Sequence, residues 1–165
     1  PEVRRHVERF ANLLEEYYLE DPALFREIDG AGEILEKLQN HPEWKVGIAT
    51  GAWKESALFK LQAAGLDVEN IPMVTCSDAK TREEILRKCI EDSKERYGVA
   101  EFEKTVSVGD ALWDIKTANR LKVGFIGINQ PGKFDGFPNC KVLRDFSKGE
   151  TFMRYLEEAE VPELP

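Results

Sequence analysis

The chain has 165 residues, 42% of them hydrophobic, which is enough for one good core and sets one main domain as the expectation. A formal net charge of -8, with the basic residues dispersed, argues against nucleic acid and anionic membrane as partners, and no apolar run approaches the ~20 residues that span a bilayer. Three cysteines without CxxC spacing suit reduced thiols in a cytosol-like, cytoplasmic compartment, and the distant pair His6 and His41 offers no zinc cluster, so any metal should be a hard cation on oxygen ligands.

In chain order, Val3, Val7, Phe10, Leu13, Leu14 and Tyr17 recur at helical spacing and predict an amphipathic helix from Pro1 to about Glu20. Asp21-Pro22 interrupts it, a short helical piece runs through Phe25, and Asp29 to Gly32 reads as a turn. Ile34, Leu35 and Leu38 mark a helix ending near Pro42. Trp44 to Thr50 is an apolar strand closed by Gly51, and a helix capped at Gly65 follows. "IPMVTCSD" reads as a second strand, and Thr81 to Glu84 as a capping box opening a helix to about Tyr97. "KTVSVGD" is the third strand, Ala111 to Leu121 a helix and "VGFIGIN" the fourth strand. A weak strand at Cys140 to Leu143 and a helix near Glu150 to Glu158 close the chain. The loop Asn129 to Asn139 is rich in glycine and proline and is expected to be exposed. Strand and helix alternate, the pattern of an α/β protein with a parallel sheet and helices on both faces.

Ligands of such sheets bind beyond the carboxyl ends of the strands, so the strand exits carry the functional reading. The first strand ends in Thr50-Gly51, a hydroxyl and backbone N–H groups that suit a phosphate oxygen; helix capping is the plainer reading of Thr50. Lys80 follows the second strand just before a helix start, either as a cation for that phosphate or as a solvated loop lysine. The third strand exits into Asp110, with Asp114 one helical turn on and on the same face. Like charges so close raise each other's pKa unless a cation lies between them, and Mg²⁺ takes this kind of mount. Taken singly, the pair also reads as a helix cap plus a solvated acid; hydroxyl, lysine and paired acids at three successive exits together point to a phosphoryl group.

At these residues the chain resembles the haloacid dehalogenase superfamily, mostly phosphatases with a Rossmann-like three-layer α/β/α core. "VGIATGA" resembles its second motif, with Thr50 and Gly51 binding phosphate, and "VSVGDALWDIKTANRLKVGFIGI" resembles its acidic fourth motif, with Asp110 and Asp114 as magnesium residues. Lys80 stands at the place of the third-motif lysine, which relatives often follow with proline; here Thr81 follows, so Lys80 and Arg82 both remain open as the phosphate-neutralising cation. "DGAGEILEKLQ" resembles the turn and helix found there in members with a helical cap. The family's first motif, a strand ending in DxDGT with the nucleophilic aspartate, is not found. Its nearest decoy, Glu27 to Ala31, reads as a turn. The chain opens at Pro1 within what resembles the cap, so the expectation is that an N-terminal segment with the first strand lies outside these 165 residues. Residues 1–29 would then be part of a helical cap and 30–165 the core lacking that strand.

The resemblance implies Mg²⁺-dependent hydrolysis of a small phosphomonoester through an aspartyl-phosphate on a residue absent from this chain, with Thr50 and Lys80 on the phosphate oxygens. The metal-free dehalogenase branch is disfavoured by the acid pair. The rival of another class is a non-catalytic phosphate- and metal-binding module. A nucleotide-binding Rossmann domain is weaker, because no GxGxxG follows any strand. Trp113 is expected to pack its helix, Trp53 to pack or line the pocket, Cys76 to be a small buried side chain, and the acidic tail to be a solvated helix end.

Overall fold

The computed structural model describes residues 2–128 and 132–165. Its elements run α1 (Glu2–Glu20), a 3-10 turn (Pro22–Phe25), α2 (Ala31–Gln39), β1 (Ile48–Ala49), α3 (Lys54–Ala63), β2 (Met73–Val74) and α4 (Arg82–Tyr97). Then come β3 (Val106–Gly109), α5 (Leu112–Leu121), β4 (Gly124–Ile128), β5 (Lys141–Leu143) and α6 (Gly149–Glu158). Every strand pairing is parallel, and helices cover both faces, a Rossmann-like three-layer α/β arrangement. The capping box forms as the spacing requires: Glu84 N–H donates to Thr81 Oγ1 at 3.1 Å, and Thr81 N–H donates back to Glu84 at 2.9 Å.

β4 is the most enclosed strand, buried at all five positions, and its side chains alternate between the two helical layers. Ile126 and Ile128 face α2 and α6 through Ile34, Phe152 and Leu156. Phe125 faces α5 through Ile115 and Ala118. That second cluster also takes Phe134 and Phe137, both buried: residues 132–139 are exposed for the most part, as the composition suggested, but are pinned to the core at these two rings. The aromatic side chains anchor that segment, with Phe134 edge-on to Phe125 at 5.4 Å. The expectation for Asn129 to Pro131 lies outside the described residues. The acidic tail is a helix end with solvated glutamates, as expected, but it is also docked: Ala159 and Pro162 are buried, and Phe125 N–H donates to Glu160 O at 3.1 Å.

Among the described residues the strands form two separate ladders, β1-β2 and β3-β4-β5, with no pairing between β1 and β3. A slot of about 550 Å³ lies between them, walled by Ile48 and Ala49 on one side, Val106 and Val108 on the other, and closed above and below by α2 and α4. In contrast to β4, neither β1 nor β3 has a fully buried residue, and Val108 is 38% exposed. The strand expected over Trp44 to Thr50 is paired only at Ile48–Ala49 because one of its edges has no neighbour. At the N-terminus, α1 buries only Leu14 and leaves Val3 and Leu19 exposed. It and the 3-10 turn lean on α3 through Tyr18, Phe25 and Phe59, whose rings meet edge to face at 5.6 to 5.9 Å.

Candidate active site

The carboxyl ends of β1 and β3 open into a recess of about 230 Å³, walled chiefly by Thr50, Arg82, Ser107, Asp110, Asp114 and Thr117. Four of these positions, Thr50, Arg82, Asp110 and Asp114, were singled out by sequence, and the fold brings Thr50 and Asp110 together from segments sixty residues apart, since 110 − 50 = 60. The half-buried Thr50 is held by its N–H, which donates to Val74 O at 2.9 Å, and its Oγ1 accepts from Ala52 N–H at 3.2 Å. Its hydroxyl therefore does cap the local turn, with its own proton still free for an oxygen in the recess.

The acidic pair is built by the β3–α5 turn. Asp110 is exposed, while Asp114 is half-buried, its Oδ2 accepting from Ala111 N–H at 3.1 Å as the first turn of α5 closes. The glycine of "GD" is needed for close approach: a Cβ on Gly109 would lie 2.6 Å from Asp114 Cβ and Oδ2. Burial raises the Asp114 carboxyl above its ordinary range; the Ala111 N–H and Arg82 charge oppose that shift, and the charge on Asp110 adds to it. Two hard oxygen donors side by side, one of them desolvated, suit Mg²⁺ in donor type. No group of three His, Cys, Asp or Glu side chains gathers among the described residues, so water and phosphate oxygens would complete its shell.

The cation of the recess is Arg82, not Lys80. Lys80 is exposed and does not line it; its N–H instead donates to Glu84 Oε2 at 3.0 Å, because the Thr81 cap draws the loop toward the helix start. Arg82, two residues on, sits in the first turn of α4 and reaches the Thr50 and Asp114 walls. Gly51 lies against its guanidinium rather than in the wall itself. The decoy Glu27 is structural: its Oε2 accepts from Gly32 N–H at 2.7 Å at the start of α2.

Trp113 does not pack its helix as expected; it is 57% exposed, with the Arg82 guanidinium carbon 5.4 Å from its ring centroid. Trp53 packs on α1, its ring 5.8 Å from that of Phe10. Cys76 is half-buried beside the Val74, Ile85 and Cys89 cluster. Sequence reading missed Lys133, whose Nζ donates to Asp110 O at 3.0 Å; its glycine-rich loop gives no periodic signal that would have found it.

Parallel strands between two helical layers, with a polar recess at the strand ends, define a Rossmann-like α/β core that binds at its carboxyl edge. The chain belongs to the haloacid dehalogenase-like hydrolase family, whose pattern it matches over residues 2–128. It is also similar in fold to a hydrolase from Pseudomonas syringae of known crystal structure, at 24% identity and a TM-score of 0.61. The match covers 78% of this chain and 62% of that one, so the chain spans less than two thirds of that hydrolase. No curated protein matches. No helix among the described residues is long and apolar enough to cross a membrane.

Proposed function

We propose that the intact protein is a Mg²⁺-dependent phosphatase acting on a small phosphorylated metabolite, and that this chain supplies its phosphate- and metal-binding half. The observation that carries this reading is the recess that gathers Thr50, Arg82, Asp110 and Asp114 where two parallel strands end. Thr50 donates its hydroxyl proton to one phosphate oxygen, and Arg82 pairs with the others through its planar fork of N–H groups. Asp110 and Asp114 hold Mg²⁺, which when bound supplies positive charge against the phosphoryl oxygens as charge builds on them. The same set gives Lys80 at most a long-range contribution, since it stands outside the walls.

The walls of the recess hold no third carboxylate among the described residues. On this reading the nucleophilic aspartate of the two-step transfer would come from a segment outside these 165 residues, seated as a strand between β1 and β3. The exposed apolar stripe of α1 supports residues 2–29 as part of a helical cap that closes over the recess. The unpaired thiols of Cys76, Cys89 and Cys140 fit a reducing, cytosol-like compartment.

The absent third carboxylate also favours a second reading, a phosphate- and metal-binding module without turnover. Hydrolysis of 4-nitrophenyl phosphate by the full-length gene product decides between them. Mg²⁺-dependent turnover, lost in Asp110→Asn, is the expected result. Binding of Mg²⁺ and phosphate without turnover selects the module, and turnover undiminished in Asp110→Asn removes the metal role of that residue.

A further inference from the structure

Arg82 is the only cation in the walls of the recess among the described residues, yet it forms no salt bridge there. A free arginine side chain carries about 2 kcal/mol of rotamer entropy, so something else must hold a guanidinium that is to meet an anion in one orientation. Two features of the fold touch it, from different elements. The exposed Trp113 ring of α5 has its centroid 5.4 Å from the guanidinium carbon. Gly51, at the β1 exit, lies closer still: a Cβ there would sit 2.5 Å from Arg82 Cζ and Nη2 and 2.8 Å from Nε.

We propose that Trp113 and Gly51 form a clamp that fixes the Arg82 guanidinium over the recess, making Trp113 a positioning residue for oxyanion binding. This rests on the phosphate reading of the recess given above, and it explains two observations that reading leaves aside. A large indole is left more than half exposed beside an acidic motif, and a glycine stands where any Cβ would strike the guanidinium. In such a clamp the indole offers its π-face to a weakly hydrated planar cation and the bare Gly51 backbone limits its remaining freedom, so that the N–H donors would be held for an anion in the recess.

The test separates the clamp from the anion site by two readouts on the purified full-length gene product. The first needs no ligand: the Arg82 side-chain Nε–H resonance, assigned by its loss in Arg82→Gln, should be shifted upfield by the indole ring current. That shift should survive in Trp113→Phe and vanish in Trp113→Leu. The second is titration with inorganic phosphate in the presence of Mg²⁺. Arg82→Gln should weaken binding at least about tenfold, as expected for a charge-assisted hydrogen-bond donor. Trp113→Leu should weaken it about two- to fivefold, the worth of an exposed cation–π contact, with Trp113→Phe recovering most of the loss. Gly51→Ala should displace the Nε–H resonance while the indole is intact. Phosphate affinity unchanged in Trp113→Leu, or an unaltered protein without the ring-current shift, overturns the clamp. An unaltered protein that shows the shift but takes up no phosphate overturns the oxyanion reading and leaves the clamp standing.

Discussion

Asp114 serves the fold and the proposed chemistry through different properties of one carboxylate, and substitutions can separate them. As a hydrogen-bond acceptor it closes the first turn of α5 on Ala111 N–H at 3.1 Å. As a charge it is a burden, because burial lifts its carboxyl above the ordinary value of 3.8. An acid whose folded pKa is raised binds its proton more tightly folded than unfolded. Its contribution to stability is therefore greatest below 3.8 and declines as pH rises through the raised value. Asp114→Asn keeps an acceptor and deletes the charge; Asp114→Ala deletes both. In metal-free buffer at pH 7 the Asn variant should be at least as stable as the parent. The Ala variant should lose about 1 kcal/mol, a typical cap loss, or roughly 2–4 °C in Tm for a domain of this size. Adding Mg²⁺ should reverse the order. At a hundred times its Kd a ligand adds about 2.7 kcal/mol to the protein that binds it, and only the parent keeps both oxygen donors as carboxylates. Urea unfolding and thermal melts with and without Mg²⁺ measure each quantity. If Asp114→Asn proves as destabilised as Asp114→Ala without metal, the fold is using the charge itself, and the account of Asp114 as a desolvated metal donor fails.

The open edge of β1 predicts alternating amide exchange. Ile48 and Thr50 donate to Pro72 O and Val74 O on the β2 side at 2.8 and 2.9 Å, so Gly47 and Ala49 point their N–H groups at the slot. Hydrogen exchange followed by NMR should find Ile48 and Thr50 protected and Gly47 and Ala49 fast; equal protection at all four would mean the slot is filled. Phe134, only 2% exposed within a segment lacking helix or strand, should cost about 3–5 kcal/mol when changed to Ala, as a core phenylalanine does. A loss under about 1 kcal/mol in urea unfolding would show that residues 132–139 are not part of the core.

The alternation of strand and helix was legible because each element carries its own period, and the strand exits at Thr50 and Asp110 followed from it. What escaped the sequence was set by partners distant along the chain. Phe134 and Phe137 stand alone among glycines and prolines, with no period to reveal that they fill the α5 face of β4. Trp113 lies on a helix, where packing is the natural expectation; its actual neighbour, Arg82, belongs to α4, and nothing local links them. The choice between Lys80 and Arg82 turned on one turn of helix. Once Thr81 takes the cap, the residue before it is thrown outward and the residue after it turns toward the recess. The length of β1 was over-read because apolar character shows where a strand can form, while pairing needs a neighbour on each side.

Slot and recess are not independent features. Ala49, Leu86, Ser107 and Val108 line both, so the recess is the carboxyl-end mouth of the gap between β1 and β3. In a parallel sheet a strand seated in that gap would run in the direction of its neighbours and end at the mouth, between Thr50 on one side and Asp110 on the other. Its last residue would thus arrive beside the hydroxyl, the guanidinium and the acid pair without any further rearrangement. The same segment would cover Val106, Val108 and Ile48, whose partial exposure is the cost of the open gap. Closing the core and completing the reaction centre would then be one event.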